Sequence, residues 1–107
     1  MDTMIQNELS LIKECILQTV HAEAIYLFGS YAYGIPNDDS DFDIYVVVPD
    51  DTSNLTELYA DIQGLLRKEK LVSLDLLLGR SCVFNRRKKG PTLERVIAQK
   101  GTLLYGA

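Results

Sequence analysis

Apolar positions in the first twenty residues recur at steps of four and three: Ile5, Leu9, Ile12, Ile16 and Val20. Side chains so spaced share one face of an amphipathic helix. Thr3-Met-Ile-Gln6 has the form of a capping box, with Thr3 accepting from the backbone N–H of Gln6, and His21 and Glu23 close the helix. Ala24-Ile-Tyr-Leu-Phe28 is a short apolar run ended by Gly29, which predicts a first strand. Gly29 to Gly34 predicts a tight turn running into a short helical piece. Ile35-Pro-Asn-Asp-Asp-Ser40 is rich in turn formers and reads as a loop.

Asp41 to Val48 reads as a second strand, stopped by Pro49. Thr52 or Ser53 can cap a second long helix whose apolar face is Leu55, Leu58, Ile62, Leu65 and Leu66. Leu71 to Leu78 predicts a third strand, its apolar run interrupted by Asp75. Beyond Arg80 the pattern is weaker. Gly90-Pro91 breaks the chain, Thr92 to Lys100 predicts a helix, and Thr102 to Tyr105 a last short strand. This order predicts an α/β (α+β) domain with a small mixed central sheet flanked by helices. A single domain over residues 1–107 fits the length.

Composition is that of an ordinary soluble globular chain, 47% hydrophobic and 24% charged, so disorder is not the expectation. The net charge of −4 draws the chain to neither nucleic acid nor acidic membranes. No apolar run approaches a membrane span. MDTMIQNELS has no apolar core of a secretory signal, and a cytoplasmic protein is expected. Cys15 and Cys82 are too few and too far apart for a zinc site or a disulfide framework. They read as reduced thiols.

The charge is unevenly spread. Six carboxylates crowd between Asp38 and Asp51, and Arg80, Arg86, Arg87, Lys88, Lys89 and Arg95 gather toward the C-terminus. Strand side chains alternate, so Asp41 and Asp43 project from one face of the second strand, with Tyr45 and Val47. Adjacent, partly desolvated carboxylates repel unless a cation intervenes. Oxygen-only ligands of high charge favour Mg²⁺ or Mn²⁺, and no thiol or imidazole nearby favours zinc. If the third strand neighbours the second, Asp75 can join them. Three carboxylates could then hold two metals about 3.5–4 Å apart, the clamp for in-line phosphoryl displacement. Gly29-Ser30 suits an anion: the glycine lets backbone N–H groups approach it, and Ser30 adds a hydroxyl donor. Alone, Gly-Ser is more often a simple turn and Asp-x-Asp a turn-capping pair. Their joint spacing carries the information.

Gly29-Ser30, ten intervening residues and Asp41-Phe-Asp43 together resemble the signature of the DNA polymerase beta-like nucleotidyltransferase superfamily. Gly34, Ser40-Asp41, Asp75 and the stretch from Pro91 to Tyr105 sharpen the resemblance toward the minimal nucleotidyltransferases (MNT), antitoxin-type partners of HEPN-domain toxins. The resemblance implies that Gly29 and Ser30 hold the triphosphate of ATP. Asp41 and Asp43 would bind both metals, and Asp75 would bind one and help deprotonate an attacking hydroxyl. The implied reaction is transfer of AMP from ATP, with loss of pyrophosphate, to a hydroxyl of a protein partner. In the toxin–antitoxin relatives that hydroxyl belongs to a tyrosine of the toxin. The family often carries Arg where this chain has Tyr31 or Tyr33, a departure that leaves the source of a cationic phosphate contact open.

Other readings stand beside these. Asp75 could pair with a basic residue. Asp38 and Asp39 read as solvated loop residues, and Asp50 and Asp51 as charges suited to a helix N-terminus. Tyr31 and Tyr33 read as packing or nucleotide-contacting residues. Arg86-Arg-Lys-Lys89 reads as a solvated cationic face, with a triphosphate, RNA or partner contact as its functional alternatives. The enzyme reading has a rival: a degenerate nucleotidyltransferase fold that neutralises its partner by occlusion. A self-dimer could replace the toxin as partner. Transfer to a small molecule is disfavoured, since a chain this short has no acceptor domain.

Overall fold

A computed structural model describes residues 3–37, 40–71 and 74–106. The apolar stripe of the N-terminal segment forms α1 (Thr3–Thr19), with Leu9, Ile12, Cys15 and Ile16 buried. Thr3 lies within this helix. Then follow β1 (Ala24–Phe28), α2 (Ser30–Tyr33), β2 (Phe42–Val48), α3 (Leu55–Lys68) and β3 (Leu74–Arg80). The chain ends with α4 (Ser81–Arg87), α5 (Leu93–Lys100) and β4 (Thr102–Gly106). Asp38 and Asp39, expected in a loop, and Val72 and Ser73, expected in the third strand, lie outside the described residues.

Several boundaries differ from expectation: α1 ends at Thr19, before His21; β2 begins at Phe42, which leaves Asp41 outside the strand; and β3 runs on to Arg80, past Leu78. Two further differences have local reasons. The cap of α3 is Asn54, whose side chain accepts from the backbone N–H of Glu57 at 3.0 Å, and not Thr52 or Ser53. The carbonyls of those two residues instead accept from the Arg80 guanidinium. The segment after Arg80 is helical, as α4, where periodicity is faint. Phe84 is its buried residue, and the Asp50 carboxylate accepts from the Cys82 N–H at 2.8 Å. Both thiols are free, Cys15 buried and Cys82 exposed.

The sheet is mixed, in the order β3-β2-β1-β4. β1 runs antiparallel to β2 and β4, and β2 runs parallel to β3. The strands' period of two sorts residues onto two faces. Ile25, Leu27, Ile44, Val46 and Val48 join the principal core with the buried stripes of α1 and α3. Phe28, Tyr45 and Val47 face the other way and pack with Phe84 and Ile97. That second cluster exists because α4 and α5 carry the chain from β3, at one edge of the sheet, to β4 at the other.

Candidate active site

The carboxylates share the face that α4 and α5 cover. Asp43 is the second residue of β2, on the side of Tyr45 and Val47, as the alternation requires. Parallel pairing sets Asp43 directly opposite Asp75, the second residue of β3. On its other side Asp43 is opposite Phe28, the last residue of β1. Asp75 is exposed, on a strand at the edge of the sheet. Its charge therefore does not sit in a buried strand interior, as the apolar sequence around it suggests.

The two carboxyl groups meet. Burial pushes the Asp43 carboxyl above the usual range; the Asp75 charge and a hydrogen bond with Asp75 push it the same way, and Asp41 adds a smaller repulsion. The cause is the nearness of like charge at a partly buried carboxyl, which favours the protonated form of Asp43. Asp41 lies just before β2 and is exposed. Among the described residues, no three His, Cys, Asp or Glu side chains close on one cation position. The structure thus joins Asp43 to Asp75 and leaves Asp41 beside the pair.

Gly29 forms the floor next to them. Its φ of +73° is a conformation that L side chains rarely adopt. A Cβ there would overlap Asp43 Oδ2 and stand 3.0 Å from its Cγ. The glycine therefore serves both the turn and the space around the carboxylate. Its carbonyl accepts from the N–H groups of Ala32 and Tyr33, which starts α2 at Ser30. Two carboxyl groups set opposite each other, with Asp41 close enough to add to the repulsion on Asp43, are an all-oxygen donor set that suits a hard divalent cation.

A second polar group on the same face was not legible from local pattern. The Tyr45 hydroxyl donates to Glu94 Oε2 at 3.3 Å, and Arg87 Nε lies 3.0 Å from Glu94 Oε1. The latter is a charge contact and not a well-directed hydrogen bond, for Oε1 is buried with no hydrogen-bond partner. Burial raises the Glu94 carboxyl, but its own backbone N–H, Arg87 and Tyr45 outweigh this and hold it below the usual range. Burial, with Glu94 beside it, pushes the Tyr45 phenol up to about 12. The Tyr45 hydroxyl lies where a Cβ on Gly79 would be, so glycine is required at that point of β3. Arg86, Arg87 and Lys89 are exposed, and Lys88 sits 5.8 Å from the Phe84 ring centroid. The basic run is a solvated face with one cation tied to Glu94.

A strand–glycine–helical turn thus stands against a carboxylate pair at one end of a mixed sheet. Residues 11–107 match the family model described as polymerase beta, nucleotidyltransferase, and the chain belongs to that family. Among curated proteins, none matches the sequence. Solved structures share the fold. A chain of a toxin–antitoxin complex with AMP-PNP matches with a TM-score of 0.61 at 24% identity, over 94% of this chain and 74% of that one. A chain of the tri-AMPylated Shewanella oneidensis HEPN toxin in complex with MNT antitoxin matches with a TM-score of 0.58 at 22% identity, over 95% and 72%. A chain of the toxin–antitoxin MntA-HepT matches with a TM-score of 0.57 at 20% identity, over 95% and 73%. Among the described residues no helix is long and apolar enough to cross a membrane.

Proposed function

We propose that this domain transfers AMP from ATP to a hydroxyl of a HEPN-domain partner, as the antitoxin of a toxin–antitoxin pair. The observation that carries the reading is the contact of Asp43 and Asp75 beside Gly29 in a chain of the nucleotidyltransferase family. The complexes of the structural neighbours, with AMP-PNP in one and an AMPylated HEPN toxin in another, support the choice of nucleotide and partner.

In this reading Asp41, Asp43 and Asp75 would hold Mg²⁺ (or Mn²⁺), which would supply charge neutralisation for the phosphates. Gly29 and Ser30 take the triphosphate through backbone N–H groups and the Ser30 hydroxyl. Asp75, exposed on the edge strand, faces the acceptor and receives its proton. The acceptor oxygen then bonds the α-phosphorus, and the bond from that phosphorus to its bridging oxygen breaks. Pyrophosphate leaves, and the acceptor carries AMP.

One observation favours a second reading. Asp41 stands outside the close pair, and a fold that had lost catalysis could still occlude its partner. Incubation with α-labelled ATP, Mg²⁺ and the HEPN protein encoded beside this chain separates the two. Label should pass to the partner with the wild type and not with Asp41→Ala/Asp43→Ala. No transfer by the wild type, with inhibition intact in the double variant, would sink the enzyme reading and leave the binding module.

A further inference from the structure

Asp41 is the candidate ligand that no strand holds in place, yet one side chain touches the residues on both sides of it. The Tyr31 ring packs on Phe42, the next residue, with ring centroids 4.6 Å apart and planes tilted by 41°. The Tyr31 hydroxyl donates to the carbonyl of Ser40, the preceding residue, at 3.5 Å. Ser40 is itself fixed from the other direction. Its N–H donates to the Asn37 carbonyl at 3.0 Å, and its Oγ accepts from the Asn37 N–H at 2.9 Å.

We propose that Tyr31 is a positioning residue that brackets Asp41 between Ser40 and Phe42 and so turns its carboxylate toward the Asp43–Asp75 pair. The inference rests on the reading of these aspartates as a metal site. It joins two features that the sequence presents separately. The turn that begins at Gly29 makes room for Asp43, and the third residue after the strand, Tyr31, touches Ser40 and Phe42 on either side of Asp41. One short turn therefore sets both carboxylates in register. Filling the core does not need the hydroxyl, since the ring alone packs against Phe42. Tyr33, the other aromatic of the turn, is 43% exposed.

The test uses Tyr31→Phe and Tyr31→Leu, with amide hydrogen exchange of the Ser40–Asp43 segment and titration with Mn²⁺ followed by electron paramagnetic resonance. Exchange in that segment should be faster in Tyr31→Leu, and Mn²⁺ should bind about tenfold more weakly, the low end for groups that orient a metal ligand. Tyr31→Phe keeps the ring and loses only a long hydrogen bond, so about a twofold loss is expected. In an Asp41→Asn background, Tyr31→Leu should weaken Mn²⁺ binding no further, because both act through one carboxylate. Unchanged exchange or affinity in Tyr31→Leu would overturn the proposal, as would losses that simply add. Weaker ATP binding with unchanged Mn²⁺ affinity would overturn it too, and mark Tyr31 as a nucleotide contact. A wild type that binds Mn²⁺ no better than Asp43→Asn overturns the site reading itself and the proposal with it. Should Tyr31→Leu fail to fold, Tyr31→Phe carries the same comparisons.

Discussion

Asp43 and Asp75 face each other across the parallel pair of β2 and β3, close enough that the Asp75 charge raises the Asp43 pKa. Two like charges are held in contact by the sheet register, so the fold stores an electrostatic cost at this point. The cost is relieved by a proton or by a cation.

Without a metal, Asp43→Asn is expected to stabilise the domain near neutral pH. The folded chain raises the Asp43 pKa, so its protonated form suits the fold. That contribution is full below the unfolded value, about 3.9, and is lost as pH rises through the folded value. Thermal unfolding at pH 7 should show the variant melting about 2–5 °C above the wild type. The gap should close as pH falls below about 4.

Metal affinity should carry the same signature. A cation competes with the proton that burial and Asp75 favour on Asp43, so Mn²⁺ binding should weaken as pH falls and release protons as it occurs. Calorimetric titration in buffers of different ionisation enthalpy measures that release. Binding should be absent in Asp43→Asn.

Gly29→Ala and Gly64→Ala should have opposite signs. The first places a methyl against Asp43 at a positive φ, and a loss of about 2 kcal/mol or more is expected, with transfer activity abolished. The second sits in an exposed turn of α3 with nothing within 4 Å of the new Cβ. There a gain of about 0.5–1 kcal/mol is expected with activity intact. Urea denaturation measures both.

Gly79→Ala should be costly because the Tyr45 hydroxyl occupies the site of the new methyl. A loss of about 2–3 kcal/mol is expected. In a Tyr45→Phe background about 1 kcal/mol of it should be recovered, as a double-mutant cycle would show. Recovery stays partial since the ring carbon Cζ still lies 2.9 Å from that Cβ.

The parity of β2 was legible because a period of two is a local property: Asp43, Tyr45 and Val47 fall together whatever surrounds them. The helix faces of α1 and α3 were legible for the same reason. The meeting of Asp75 with Asp43 was legible only on condition that the strands are neighbours, since thirty-one intervening residues and a crossover helix set that pairing. The exposure of Asp75, on a strand at the edge of the sheet, was not legible. Nor was α4, whose helical state depends on Phe84 packing against Tyr26 and Tyr45 and on Asp50 bonding Cys82. The link from Tyr45 to Glu94 spans 49 positions and has no local mark. The cap of α3 is a matter of one residue, settled when Arg80 engages Thr52 and Ser53. Asn54→Ala should therefore cost about 1 kcal/mol, and Ser53→Ala close to nothing.

The central claim is that this site breaks ATP at the α-phosphorus and leaves AMP on a protein hydroxyl. ATP labelled at either the α- or the γ-phosphate, incubated with the protein, Mg²⁺ and its HEPN partner, tests it most directly. The α label should stay with the partner and the γ label should leave in pyrophosphate. Retention of the γ label on the partner, or of neither label, would contradict it.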